Sequence, residues 1–285
     1  MSKRYALIIG NSHYDDDTLP NLTTPASDAD DLAAVLQSTE IGGFDEVQVL
    51  HDATLTEMRV AVGELFGRKH KPDDMLLFYF SGHGELDTDD NLYLVGRDTR
   101  RGPLLRATGL EASFVAGYMN SARSRRQVII LDSCYSGAFG SGAKGGRVGT
   151  KNIFEGSGYG RYVLTASDAL QLSWEGDRII EGEITNSFFT HFLVDGLRSG
   201  AADRNGDGYV DLDELYDHVH EGMMRASGKQ QPLKFTFSEK GDLLVARSPM
   251  LADDRERAHL TKLLSDAEVA ADPGDYYQAE KLLVE

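Results

Sequence analysis

Cysteine is almost absent from this chain: its 285 residues contain one, Cys134. A lone thiol closes no intrachain disulfide, so nothing in the sequence marks an oxidising compartment. Proline is sparse as well, at seven residues, and long low-complexity stretches are lacking. No window approaches the roughly 18 consecutive apolar residues of a membrane span. The amino-terminal run YALIIG follows two basic residues but is too short for the apolar core of a secretory signal. These absences predict a cytoplasmic protein with no membrane partner. Positive charge is the remaining deficit, with 29 Lys and Arg against 46 Asp and Glu and a formal net charge of −17. Nucleic acid needs clustered cations and is not an expected partner. The acidity suits cations instead, either calcium or basic peptide segments.

The length of 285 residues suits one large α/β domain, or one domain plus a small appendage, and an apolar fraction of 41% with a charged fraction of 26% is that of an ordinary globular protein. Short apolar runs at 5–10, 46–50, 75–80, 127–131 and 161–166 read as strands. Helix-period segments at 26–38, 54–66 and 109–121 lie between them, and NLYLV at 91–95 falls in a polar connection. Strands alternating with helices predict a mostly parallel central sheet flanked by helices. The run MLLFYF is continuously apolar, as a strand buried on both faces should be. Nine glycines between Gly137 and Gly160 predict a long mobile loop. The domain is expected over 1–250, and 251–285 reads as a helical extension, the start of a further module and a place for a regulatory partner.

The third strand leads into SGHGE and the fourth into DSCYSG, which puts His83 and Cys134 just beyond two apolar runs. If those strands are parallel neighbours, both residues emerge at the carboxyl edge, where open α/β sheets build their sites. An imidazole beside a thiol supplies the base that makes the thiolate and the acid that later returns the proton. Flanking glycines let a substrate backbone and a developing oxyanion approach. The plain alternative is a buried small cysteine and a core histidine. The glycine-flanked positions at expected strand ends weigh against it.

FYFSGHG and IILDSCYSG resemble the two catalytic motifs of the caspase-like cysteine peptidases, in the metacaspase and prokaryotic branch. Their His-to-Cys separation of 51 residues suits that family. YALIIGNSHY, ASDADDL, YLVGRD and LTASDALQLSWE resemble further family blocks in order, so the resemblance covers about 4–246. It implies the caspase-hemoglobinase fold and endopeptidase activity, with Cys134 as nucleophile, His83 as acid and base, and an oxyanion hole from the backbone N–H groups of Gly84 and Cys134. In the metacaspases that the Asp132-Ser133-Cys134 motif resembles, the residues matching Asp132 and Asp28 line the S1 pocket. Two carboxylates select a cationic guest, because an unpaired buried charge is costly. Protein or peptide substrates with Arg or Lys at the cleaved position are therefore expected. The plain alternative is a turn acceptor at Asp132 and a helix cap at Asp28.

DRNGDGYVDLDE, residues 203–214, fits the twelve-residue EF-hand pattern: Asp203, Asn205, Asp207, Tyr209 through its carbonyl, Asp211 and Glu214 occupy the ligand positions, with Gly208 at the sharp turn. Segments before and after it have helical periodicity. Calcium is the expected metal, and an EF-hand-like loop near the carboxyl-terminal part is added to the fold. Asp87, Asp89 and Asp90 read as a solvated loop. The other histidines lack ligand-like spacing. IIGNSHY lacks the glycine spacing of a dinucleotide site, so no organic cofactor is expected. Family members are often cut between the catalytic strand and the next. Lys144, Arg147 and Lys151 in the glycine-rich segment are the self-cleavage candidates, with Arg161 disfavoured because it abuts a strand. The rival from another class is a non-catalytic, calcium-dependent interaction module on the same fold.

Overall fold

The computed structural model describes residues 2–135, 153–154, 160–166, 186–226, 232–237, 243–249 and 261, with Cys134 and Tyr135 given by their backbone. The elements run β1 (Arg4–Gly10), α1 (Pro25–Gln37), β2 (Glu46–His51), α2 (Leu55–Gly67), β3 (Met75–Leu86) and β4 (Leu92–Leu94). They continue with α3 (Leu105–Thr108), β5 (Leu110–Glu111), α4 (Ala112–Ser121), β6 (Arg126–Tyr135) and β7 (Arg161–Thr165). Beyond these lie α5 (Phe188–Ser199), β8 (Tyr209–Asp211), α6 (Leu212–Ala226), β9 (Leu233–Phe237) and β10 (Leu244–Arg247). The main sheet has the order β2-β1-β3-β6-β7-β9, parallel throughout except for β9, which runs against β7. This is the expected caspase-like arrangement.

The pattern of β1 shows why the layers form. Ala6 and Ile8 face a core shared with Leu32 and Leu36 of α1, Leu193 and Leu197 of α5 and Leu215 of α6. Leu7 and Ile9 face the opposite core, with Met58, Val62 and Phe66 of α2 and Val115 and Met119 of α4. Apolar residues on both faces are what a parallel strand covered twice by helices demands. Local chemistry sets the boundaries: Pro25 opens α1, and α2 begins at a capping box in which Thr54 and Glu57 satisfy each other's backbone N–H groups.

Three expectations need correction. The third strand continues six residues past its apolar run, because Gly84, Glu85 and Leu86 pair with β4, in what had read as a polar connection. The helix expected from 109 begins at Ala112, since Gly109 caps α3 and β5 pairs with β4. Within the glycine-rich segment, Phe154 is buried in the core beside α2 and α4, so part of that segment is anchored. The rest of the segment, and the extension apart from Thr261, lie outside the described residues.

Candidate active site

Because β1 pairs with β2 on one side and β3 on the other, the chain reverses its direction of travel between β1 and β3, and their carboxyl ends open a crevice. His83 stands there. Its Nε2 lies 2.8 Å from the Pro20 carbonyl in the β1–α1 connection. A carbonyl only accepts, so Nε2 carries the proton and the neutral ring holds its lone pair on Nδ1. Tyr14 braces the same residue: its hydroxyl accepts the His83 N–H at 3.1 Å and donates to the Asn11 carbonyl at 2.6 Å, and the two rings lie 4.8 Å apart. Asn11 is itself fixed, donating to the Val95 carbonyl and accepting from the Ala53 N–H. A side chain at Gly82, where φ is 151°, would press within 3.2 Å of Phe80, Tyr14 and Asn11. The glycine before the histidine is thus required by packing.

The parallel register of β3 and β6 sets His83 beside Cys134 and Gly84 beside Tyr135. Both residues sit in strand extensions, not in turns as their glycine neighbours suggested, and both lie past the apolar run at the carboxyl edge. Two positions earlier on the same strands, Ser81 lies beside Asp132. Asp132 is 7% exposed and Asp28, from the first turn of α1, is fully buried. Ser187 joins them: its N–H donates to Asp28 at 2.9 Å and its hydroxyl donates to Asp132. The same hydroxyl caps α5 by accepting the Thr190 N–H at 3.1 Å. Ser81 donates to Asp28 at 3.0 Å, and Thr190, hydrogen-bonded in turn to buried Tyr79, donates to Asp132 at 2.7 Å.

Burial, and then the neighbouring charge of Asp132, push the Asp28 carboxyl up to about 8. Burial also raises Asp132, against the pull of the Ser187 and Thr190 hydroxyls. Two carboxyls in one desolvated pocket cannot both ionise unassisted, so at neutral pH the pair holds a proton. Sequence reasoning found both aspartates but missed Ser187, Thr190, Tyr14 and Asn11. Among these, the serine at the start of an amphipathic helix carried a readable capping signal.

The 203–214 loop lies at the other end of the sheet. α5 ends at Gly200 in the left-handed conformation, and α6 leaves the loop from Leu212. Asp203 accepts the Gly206 and Gly208 N–H groups, Asp207 accepts that of Tyr209, and Asp211 accepts that of Glu214. Glu214 takes the Arg204, Asn205 and Asp211 amides, and burial followed by the Asp211 charge raises its carboxyl. The donors are hard oxygens suited to calcium, and this desolvated carboxyl would gain from a cation. As placed, they turn onto the loop's own amides. No three Asp, Glu, His or Cys side chains among the described residues are gathered closely enough to hold a metal.

Asp87 is not solvated: its side chain is 5% exposed and pairs with Arg106. Lys144, Arg147 and Lys151 lie outside the described residues. Arg161 is fully buried and donates to the Phe154 carbonyl and to Asn120, which removes it as a cleavage site in the folded chain.

A family profile described as the caspase domain matches residues 3–240. Among solved structures, caspase-1 from Spodoptera frugiperda superposes with a TM-score of 0.59 at 18% identity, over 88% of this chain and 92% of that one. A search of curated protein sequences finds no match.

Proposed function

The chain belongs to the caspase-domain family, and on that premise we propose that it is a cysteine endopeptidase cleaving after Arg or Lys. The observation that carries the specificity is the buried Asp28–Asp132 pair: Asp132 lies two residues before Cys134 on β6, and Asp28 of α1 is held by Ser81, two residues before His83 on β3. In this reading His83 Nδ1 takes the thiol proton, and the thiolate attacks the carbonyl of the basic residue. The backbone N–H groups of Gly84 and Cys134 receive the oxyanion. The tetrahedral intermediate collapses to a thioester as His83 gives its proton to the departing amine, and water then releases the acid and restores the thiol. A guanidinium or ammonium group entering the pocket displaces the proton that the acid pair holds and pairs with both carboxylates.

The test is a fluorogenic peptide panel differing only in the residue before the scissile bond, run on the wild type and Cys134→Ala. Turnover of Arg and Lys peptides, lost in the variant, is expected. Preferential turnover of the Asp peptide removes the basic specificity, and no turnover of any peptide leaves the calcium-dependent interaction module.

Calcium is the second part of the proposal, held by Asp203, Asn205, Asp207, the Tyr209 carbonyl, Asp211 and Glu214. Its effect would reach the acid pocket through α5, whose first residue is capped by Ser187 and whose last turn runs into the loop. Self-cleavage at Lys144, Arg147 or Lys151 is the third. Intact-mass measurement with calcium or with EDTA examines both: fragments meeting near 144–151 with calcium, absent in Cys134→Ala and in Glu214→Ala, are the expected result. Active enzyme that stays uncut refutes the processing, and equal cutting in EDTA refutes calcium control.

A further inference from the structure

The amino ends of the central strands form a second site. Register places Arg4, Met75 and Arg126 side by side at the starts of β1, β3 and β6. The β8–β10 ladder closes over them, with Arg247 opposite Tyr209. Together with Lys3 these residues line a cleft of about 240 Å3, in which Asp73 is the one carboxylate among the lining residues. Arg4 forms the wall, donating to the Gly42 and Leu244 carbonyls. The guanidinium groups of Arg126 and Arg247 are exposed, and neither makes a hydrogen bond or ion pair among the described residues. Burial, then the charges of Arg126 and Arg247, pull the Arg4 guanidinium down to about 10 against the opposing charge of Asp45. In a chain of net charge −17, four cations gathered on one cleft are costly unless something neutralises them.

We propose that this cleft binds a small phosphate-bearing anion of about the size of pyrophosphate. Guanidinium groups match phosphate oxygens through paired N–H donors, and Arg126 and Arg247 both line this cleft, with Arg4 as a charged wall behind them. The cleft is smaller than the roughly 300–1,000 Å3 of sites for drug-sized ligands, which suits a compact polyanion. A long acidic peptide or a nucleic acid would meet the negative remainder of the surface, whereas a small anion meets only the cleft. The site is distinct from the acid pocket at the opposite end of the sheet, so it stands whether or not the chain is a peptidase.

Thermal unfolding and titration calorimetry of the full chain test it, with EDTA throughout so that chelation by pyrophosphate is not read as binding. Pyrophosphate at 100-fold above its Kd should raise Tm by about 5–10 °C over sodium chloride of equal ionic strength. Arg126→Gln/Arg247→Gln should lose that gain while its own Tm without ligand equals or exceeds that of the wild type, because repulsion has been removed. Lys69→Gln, on the exposed surface elsewhere, should keep it. If the double variant does not fold, Arg126→Gln alone must weaken pyrophosphate binding at least about tenfold. No gain beyond chloride, or an undiminished gain in these arginine variants, overturns the proposal. So does binding only to phosphatidic acid vesicles or only to a polyglutamate peptide, since the ligand would then not be a small soluble anion.

Discussion

The same three strands end in opposite chemistry. At their carboxyl ends β3 and β6 carry Ser81 and Asp132, and with Asp28 they enclose two buried carboxyls. At their amino ends β1, β3 and β6 present Arg4, Met75 and Arg126 to an open cleft. The difference is one of solvation as much as of sign. The carboxyl pair is roofed by the first turn of α5 and supplied with hydroxyl and amide donors, so it rests partly protonated, and in the proposed function a cationic guest completes its ionisation. Arg126 and Arg247, by contrast, are exposed to solvent. A buried site of this kind discriminates, because the wrong guest leaves a desolvated charge unpaired. An open one attracts and positions.

The largest expected effect comes from neutralising the discriminating end. Asp132→Asn should lower kcat/KM for an arginyl peptide by roughly 10²–10³-fold, the size associated with removing one partner of a buried charge pair. Asp28→Asn should act in the same direction. Competition assays with arginyl and neutral peptides check it: an unchanged preference for arginine would mean that the acid pair is structural and that the contrast between the two ends is only one of position.

Stability sharpens the contrast next. A carboxyl whose folded pKa lies above its ordinary value, as for Asp28 at about 8 against 3.8, binds its proton more tightly in the native state. Its contribution is therefore complete below about pH 4 and is lost as pH rises through about 8. Asp28→Asn removes that dependence. Its Tm relative to the wild type should rise between pH 5 and pH 9, by about 2–4 °C for each kcal/mol of penalty relieved. A flat difference across that range would show that the native pocket holds no such proton. The variant that loses substrate selectivity is thus expected to be the more stable one at high pH.

How much of this was legible depended on whether the signal was local. The apolar runs gave β1, β3, β6 and β7, because strands covered on both faces cannot tolerate polar interruptions, while the half-exposed edge strand β2 showed through its Val47-Val49-Leu50 pattern. The extension of β3 through His83 to Leu86 was not readable, since it rests on pairing with the polar end of β6 and with β4, whose three residues carry no periodicity. LKFTF of β9 escaped for a similar reason: it is an edge strand whose lysine and threonine alternate with phenylalanines that only the neighbouring β7 explains. Phe154 was hidden among glycines, where composition outweighed a single anchoring ring. The His motif stood out because glycine on either side of His83 is a costly choice in a strand, and the Cys motif because it holds the one cysteine of the chain. The amino-edge cations could not be seen at all, as Lys3, Arg126 and Arg247 are far apart in sequence and meet only through sheet register and the β8–β10 ladder.

The smallest effect isolates the residue that holds the acid pocket together. Ser187 does two things with one hydroxyl: it caps α5 and it donates to Asp132, while its N–H holds Asp28. Ser187→Ala keeps the N–H and loses the rest. The missing cap costs about 1 kcal/mol, or about 2–4 °C in Tm for a chain of this size. Losing the donor has a separate signature, because that hydrogen bond pulls the Asp132 carboxyl down. Without it the carboxyl rises further and the pair ionises at higher pH. The pH profile of kcat/KM for an arginyl peptide should therefore move to the alkaline side, with KM raised several-fold at neutral pH and kcat nearly unchanged. Ser187→Thr, which keeps a hydroxyl, should restore the profile. A cap alone would alter Tm and leave the profile where it was, so a stationary profile in Ser187→Ala would show that this serine serves the helix and not the pocket.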